Sequence, residues 1–201
     1  MELDKSTLKE AFEHLLKVIS SERFQKCQGL GNEVPFYICH FPVSQSIDFE
    51  KIQSQLIKTL SQTGIRILNI NLYDLSIEIL KKRKIWDKAI NIEPNVNKKE
   101  IEELLQGVLD TERHLIPEMR KKMDETPFDT LFLSGVGEVF PYIRSHNILN
   151  NLQSYAKEHP TVMFFPGKYQ HSLEDGASLN LFGILHDDKY YRAFDIFHCE
   201  I

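Results

Sequence analysis

Phe36-Tyr37-Ile38-Cys39-His40-Phe41, then Phe49, Ile52, Leu56, Ile57 and Leu60 at helical spacing, then Ile65-Arg66-Ile67-Leu68-Asn69-Ile70-Asn71-Leu72: this stretch decides the fold. The first run is rich in aromatic and β-forming residues and stops at Pro42, so it reads as a strand. The apolar residues after it recur at three- and four-residue steps on one face of a helix, which Gly64 ends. A second strand follows at once. Strand, helix and strand with a short glycine-containing return is the spacing of a right-handed parallel βαβ unit rather than a hairpin. The expected class is therefore α/β, a mostly parallel sheet flanked by helices.

The pattern extends in both directions. Upstream, Leu8, Phe12, Leu15, Leu16 and Ile19 predict a helix from Thr7 to Ser20, followed by the loop Gly29-Leu30-Gly31-Asn32. Downstream, residues 75–123 stay helical, broken at Asn91–Asn95, Gly107 and Pro117, which predicts two or three helices forming an insertion or cap on the sheet. Thr130–Leu133 reads as a third strand, Glu138–Lys157 as a helix and Thr161–Phe165 as a fourth strand, apolar enough for a sheet covered on both faces. Leu179–Phe182 and Tyr190–Ile196 read as a strand pair joined through Gly183 and His186-Asp187-Asp188. With no internal repeat, low-complexity tract or linker, residues 1–201 read as one domain.

Two hundred and one residues suffice for one continuous core without disulfides or metals. No apolar run approaches the ~20 residues of a membrane span, and the N-terminus lacks the order of a signal peptide. The expectation is a cytoplasmic protein without membrane contact. Cys27, Cys39 and Cys199 form neither a CxxC pair nor a disulfide framework. A net charge of −5 argues against indiscriminate nucleic-acid binding. The local exception is Lys81-Lys82-Arg83-Lys84 beside Trp86, which reads either as a solvated helix end or as a nucleic-acid contact patch.

No catalytic or cofactor motif is complete. Gly135-Val136-Gly137 supplies two glycines of a dinucleotide fingerprint, but Phe140 occupies the third position, where close helix–sheet packing needs glycine. After the first strand, Phe41-Pro42-Val43-Ser44-Gln45-Ser46 has neither the glycines nor the Lys-Ser/Thr pair of a phosphate loop. Gly167-Lys168-Tyr169 lacks the hydroxyl residue that would hold magnesium. A sheet like that of P-loop ATPases without its phosphate loop fits these residues, and a degenerate nucleotide-binding protein or cryptic hydrolase is the corresponding fold analogy. His171 with Glu174 and Asp175, and His186 with Asp187 and Asp188, read as polar loops, so no metal and no cofactor is assigned. The absence of Gly-x-Ser-x-Gly and of a catalytic cysteine motif leaves covalent catalysis without support.

After Gly137 the predicted helix carries Val139, Tyr142, Ile143, Leu149 and Leu152 as its buried stripe. Many of its other positions hold polar residues, Ser145, His146, Asn147, Asn150, Asn151, Gln153 and Ser154, with Arg144 the only lysine or arginine before Lys157. Asn and Ser are poor helix formers suited to fixed hydrogen bonds. This face therefore packs either under the chain's own helical insertion or on a partner protein.

Gln28-Gly29-Leu30-Gly31-Asn32-Glu33-Val34-Pro35-Phe36, Ile70-Asn71-Leu72-Tyr73-Asp74-Leu75, Gly135 through Asn151, and Thr161-Val162-Met163-Phe164-Phe165-Pro166-Gly167 together closely resemble the BrxB family, the small protein of BREX (bacteriophage exclusion) defence systems. The likeness runs from about His14 to Ile196. It implies a non-catalytic defence component encoded alongside a DNA methyltransferase, a large ATPase, a lon-like protease and a PglZ-type member of the alkaline-phosphatase superfamily, the last being the expected direct partner. DNA would be contacted only weakly or within the complex. The family supplies no catalytic residues to carry over. The candidate interaction residues are Gly135, Gly137, Glu138, Tyr142, Arg144 and Asn147 at one junction, and Pro166, Gly167, Lys168 and Tyr169 after the next strand. Both junctions follow strands, so parallel strands would bring them to one edge of the sheet. The candidate nucleic-acid residues are Lys81, Lys82, Arg83, Lys84 and Trp86.

Overall fold

In the computed structural model, which describes residues 5–28, 33–172, 176–186 and 193–199, the strands are β1 (Phe36–Phe41), β2 (Ile67–Asn71), β3 (Thr130–Ser134), β4 (Thr161–Ser172), β5 (Gly176–Leu181), β6 (Leu185–His186) and β7 (Phe194–Asp195). Five of them are mutually parallel in the order β2-β3-β4-β1-β7. β1 and β2 point the same way, as the opening stretch requires, but β4 and β3 lie between them. Glu174, Asp175, Asp187, Asp188, Tyr190 and the loop Gly29–Asn32 lie outside the described residues.

Side-chain alternation divides the core in two. Tyr37, Cys39, Phe41, Phe132, Val162 and Phe164 meet α1 (Lys5–Ser20) and α3 (Ser46–Gln62), with the short α2 (Glu22–Gln25) adding Phe24. Phe36, Ile38, Ile70, Leu131, Leu133 and Phe165 face the opposite layer. That layer comprises α4 (Leu72–Lys82), α5 (Trp86–Ile92), α6 (Lys98–Val108), a π-helical turn at Thr111–Leu115, α7 (Ile116–Glu125) and α8 (Ser145–Leu152). All five residues of β3 are buried, as in a strand covered on both faces. Each large side chain so buried contributes about 1.5–3 kcal/mol relative to exposure.

Four sequence expectations are revised. The helical region runs from Leu72 to Glu125 and holds four α-helices, not two or three. It begins early because Asn71 ends β2 and caps α4 directly, its Oδ1 accepting from the N–H groups of Tyr73 and Asp74 at 2.9 and 3.2 Å. The helix expected over Glu138–Lys157 is confined to Ser145–Leu152, with turns over residues 136–142. Pro141 stands in these turns; it lacks an N–H and disfavours helical geometry in the residue before it, and the Asn- and Ser-rich tract sustains only two turns of helix.

The fourth strand does not stop at Phe165. It continues to Ser172 by exchanging partners: residues through Pro166 pair with β1, and Gly167–Ser172 pair antiparallel with β5. Among the described residues, the expected pairing of Leu179–Phe182 with the last strand is also not found. β5 turns back through Phe182–Ile184 onto β6, whereas β7 adds to the parallel sheet beside β1.

Candidate functional site at the carboxyl edge of the sheet

The ten candidate interaction residues divide among three places. Gly135, Gly137 and Glu138 follow β3 and, with Pro166, line a crevice of about 80 Å³ beneath the start of α3. Gly135 has a φ of +74°, and a Cβ there would lie 2.4 Å from Asn71 Oδ1, the atom that caps α4. At Gly137 a Cβ would stand 3.0 Å from Pro166 and 3.1 Å from the Phe182 ring. The glycines let β3, β4 and the β5–β6 turn close on one another, so the two predicted junctions meet through packing.

Tyr142, Arg144 and Asn147 line a separate groove of about 300 Å³. Asn147 and Asn151 of α8 form one wall, and Gln106, Asp110 and Glu112 of the helical layer form the other. The Tyr142 hydroxyl donates to the Glu138 carbonyl at 3.0 Å, and the Arg144 guanidinium lies 5.0 Å from the centre of the Phe140 ring. Burial of the Tyr142 ring, with Tyr73 and Glu138 nearby, raises its phenol above the ordinary range. The apolar side of α8 is packed in the core, and its amide side looks across an open groove at the chain's own helical layer.

The second candidate group is not a junction. Pro166, Gly167, Lys168 and Tyr169 lie within β4 where it changes partner. A Cβ on Gly167 would come 2.2 Å from the Asn180 carbonyl of β5, so the hairpin requires glycine there. Tyr169 is buried; its hydroxyl donates to the Ala193 carbonyl at 2.5 Å, and burial beside Asp195 raises its phenol to about 12.

Lys168 is exposed and lines a cleft of about 1030 Å³ between the N-terminal half of α1 and the extended part of β4. On its floor, one oxygen of Asp195, Oδ2, lies 3.2 Å from His40 Nε2 and 3.2 Å from His198 Nδ1. The other, Oδ1, accepts the Phe197 N–H at 3.0 Å. Burial alone would raise the Asp195 carboxyl; the hydrogen bonds from His40 and Phe197 and the two imidazoles outweigh it and hold the group below the usual range. Across the cleft, His14 Nε2 donates to the Ile196 carbonyl at 3.1 Å. None of these groups is among the ten candidates, because His40 and Asp195 meet only once β7 lies beside β1. Among the described residues, no three potential ligands are placed to hold a metal ion.

The basic run sits at the end of α4, and its first three members engage the protein. Lys81 lies 5.6 Å from the Trp86 ring centre, Lys82 pairs with Glu118 of α7, and Arg83 donates to the Val108 carbonyl at 2.6 Å. Lys84 is exposed, with a φ of +59°. Among the described residues, no helix is long and apolar enough to cross a membrane.

A profile of the family described as BREX protein BrxB matches residues 68–196, which run from β2 through β7. The chain belongs to the BrxB family. The BREX protein BrxB of Bacillus cereus (strain H3081.97) is 35% identical over 195 residues, covering 94% of this chain and 97% of that relative. The BREX protein BrxB of Escherichia coli O9:H4 (strain HS) is 27% identical over 176 residues, covering 88% and 84%. No solved structure matches.

Proposed function

We propose that this chain is a non-catalytic assembly subunit of a BREX phage-defence complex and acts by seating the PglZ-type component. Membership of the BrxB family supports a place in the system. The observation that carries the assembly role is the groove between α8 and the helical layer. Its walls present amides, carboxylates and one arginine from elements anchored in the core through Leu115, Ile148 and Leu149. Tyrosine and arginine at the lip of such a surface are the residue types that dominate binding energy at protein interfaces. The groove is preformed, so docking orders few side chains and loses little of its gross energy to entropy.

The test is light scattering after size-exclusion chromatography of the chain mixed with the PglZ-type protein encoded beside it. A joint peak is expected. Replacing Tyr142 and Arg144 together by alanine should weaken the association at least about tenfold, which is ~1.4 kcal/mol, with the circular dichroism spectrum retained. Two separate peaks for the unaltered proteins at micromolar concentration would refute PglZ seating. A joint peak unchanged by the double substitution would remove this groove from the interface.

A further inference from the structure

We propose that the free edge of β4 beyond Gly167 takes up an extended segment of the PglZ-type partner as one more strand, with a carboxylate of that segment set against Lys168. The proposal rests on the assembly reading and adds a second contact, separate from the Tyr142 groove. Its basis is a row of backbone groups that the fold leaves unpaired beside the cleft between α1 and β4.

Successive residues of a strand turn their N–H and C=O groups to opposite edges. The Thr161 N–H donates to the Pro35 carbonyl at 2.8 Å, so odd-numbered residues of β4 face β1. The Pro166 carbonyl accepts the Phe182 N–H at 2.9 Å, so even-numbered residues beyond it face β5. β1 stays beside β4 as far as Pro166 and then leaves through Pro42 into the 3₁₀ turn Val43–Gln45. The N–H and C=O groups of Tyr169 and His171 therefore face the edge that β1 has vacated, and no described residue bonds to them. The cleft lies in that vacated lane. Its walls combine His40 and Pro42 at the end of β1, Gly167 and Tyr169 of β4, and Asp195 of β7, the strand on the far side of β1.

An edge of this kind selects its occupant. Its donors and acceptors repeat every second residue, about 7 Å, and match the edge of another extended chain, whereas a helix spends the same groups on itself. Strands stand about 4.8 Å apart, and the cleft of about 1030 Å³ has room for one. Ala11 and His14 of α1 close the opposite wall, so a single segment fits where the rim of a second folded sheet does not. Charge adds a side-chain requirement. Lys168 is exposed on the cleft wall and no described carboxylate pairs with it, since Asp195 is already held by His40, His198 and the Phe197 N–H. A carboxylate opposite Lys168 completes a cross-strand pair. Glu10 stands on α1, which keeps that carboxylate on the β4 side, and Pro42, Val43 and Phe197 offer apolar wall to the rest of the segment.

The test is residue-resolved hydrogen exchange on the full chain, alone and mixed with the PglZ-type protein encoded beside it, with size-exclusion chromatography as the record of association. In the free chain the amides of Tyr169 and His171 should exchange at least about tenfold faster than those of Lys168 and Gln170, which bond to β5. In the complex they should slow by about tenfold or more. Lys168→Glu should weaken the association about tenfold and Lys168→Arg should leave it intact; the side chain is exposed, so both variants keep the fold. A joint peak in which Tyr169 and His171 exchange as in the free chain would overturn the strand addition and leave the assembly reading standing. A joint peak unaltered by Lys168→Glu would do the same. Slow exchange of both amides in the free chain would show the edge already paired, and would also overturn it. Two separate peaks would overturn both readings together.

Discussion

After β3 the carboxyl edge of the sheet is filled: Gly135 presses on the Asn71 cap, Gly137 on Pro166 and Phe182, and only about 80 Å³ remains. After β1 and β7 it is open: a largely buried carboxylate, flanked by the half-buried His40 and the exposed His198, lines a cleft of about 1030 Å³. The glycine-rich junction that stands out in the sequence is where backbone segments approach too closely for a side chain. The quieter ends of β1 and β7 leave room for another molecule. A glycine pair after a strand marks tight packing as readily as a ligand cradle, and only the space around it distinguishes the two.

Adding one methyl group where backbone segments approach most closely, at the β4–β5 contact beside the open cleft and then in the filled crevice, tests the comparison most severely. Gly167→Ala should destabilise the fold by about 3 kcal/mol or more, because its Cβ meets the β5 backbone at 2.2 Å and the Phe165 ring at 2.8 Å. Chemical denaturation would measure it, and a loss below ~1 kcal/mol would show that the β4–β5 hairpin yields. Gly135→Ala should lose about 2–3 kcal/mol, combining left-handed backbone strain with displacement of the Asn71 cap.

On the open side, Asp195→Asn should lose about 2 kcal/mol near pH 7 by weakening charge-assisted hydrogen bonds to two imidazoles. Its pH dependence has a definite sign. The Asp195 carboxyl is held below its ordinary value of 3.8, so it binds a proton less readily when folded than when unfolded. The stability it contributes is therefore present above about pH 4 and is lost as pH falls through the folded value. A plot of Tm against pH from 3 to 7 should show the curves of the unaltered chain and of the Asp195→Asn variant converging at the acid end. Lys168→Ala should have the smallest effect, under about 0.5 kcal/mol, since an exposed side chain away from the core is removed. A larger loss would mean that the lysine supports the fold rather than facing the open cleft.

Much of the frame was legible because it rests on local periodicity. The apolar runs of β1, β2 and β3 and the helical faces of α1 and α3 each announce themselves within a dozen residues. The continuation of β4 was not legible. Pro166 and Gly167 are strand-ending residues in most contexts, but here the proline stands where the strand leaves β1 and the glycine where it joins β5. The short α8 could have been anticipated from Pro141 and the helix-poor Asn-Ser tract, a signal read as a packing face, internal or for a partner, and not as a limit on helix length. The Asp195 cluster was not legible, since His40 lies in β1, 155 positions away, and the nearby His198 alone carries no motif.

By itself, the sequence determined the α/β class, the direction of β1 relative to β2, the helical stretch between β2 and β3, and the family. Those properties follow from residue spacing within single elements and from long matching blocks. Tertiary structure alone decided that β3 and β4 separate β1 from β2, that β4 serves three partners, β1, β3 and β5, and that His40 meets Asp195 across 155 positions of chain. The physical reason is that strand pairing is a competition among distant backbone edges. Its outcome depends on which apolar faces can be buried together, a quantity that no single segment carries.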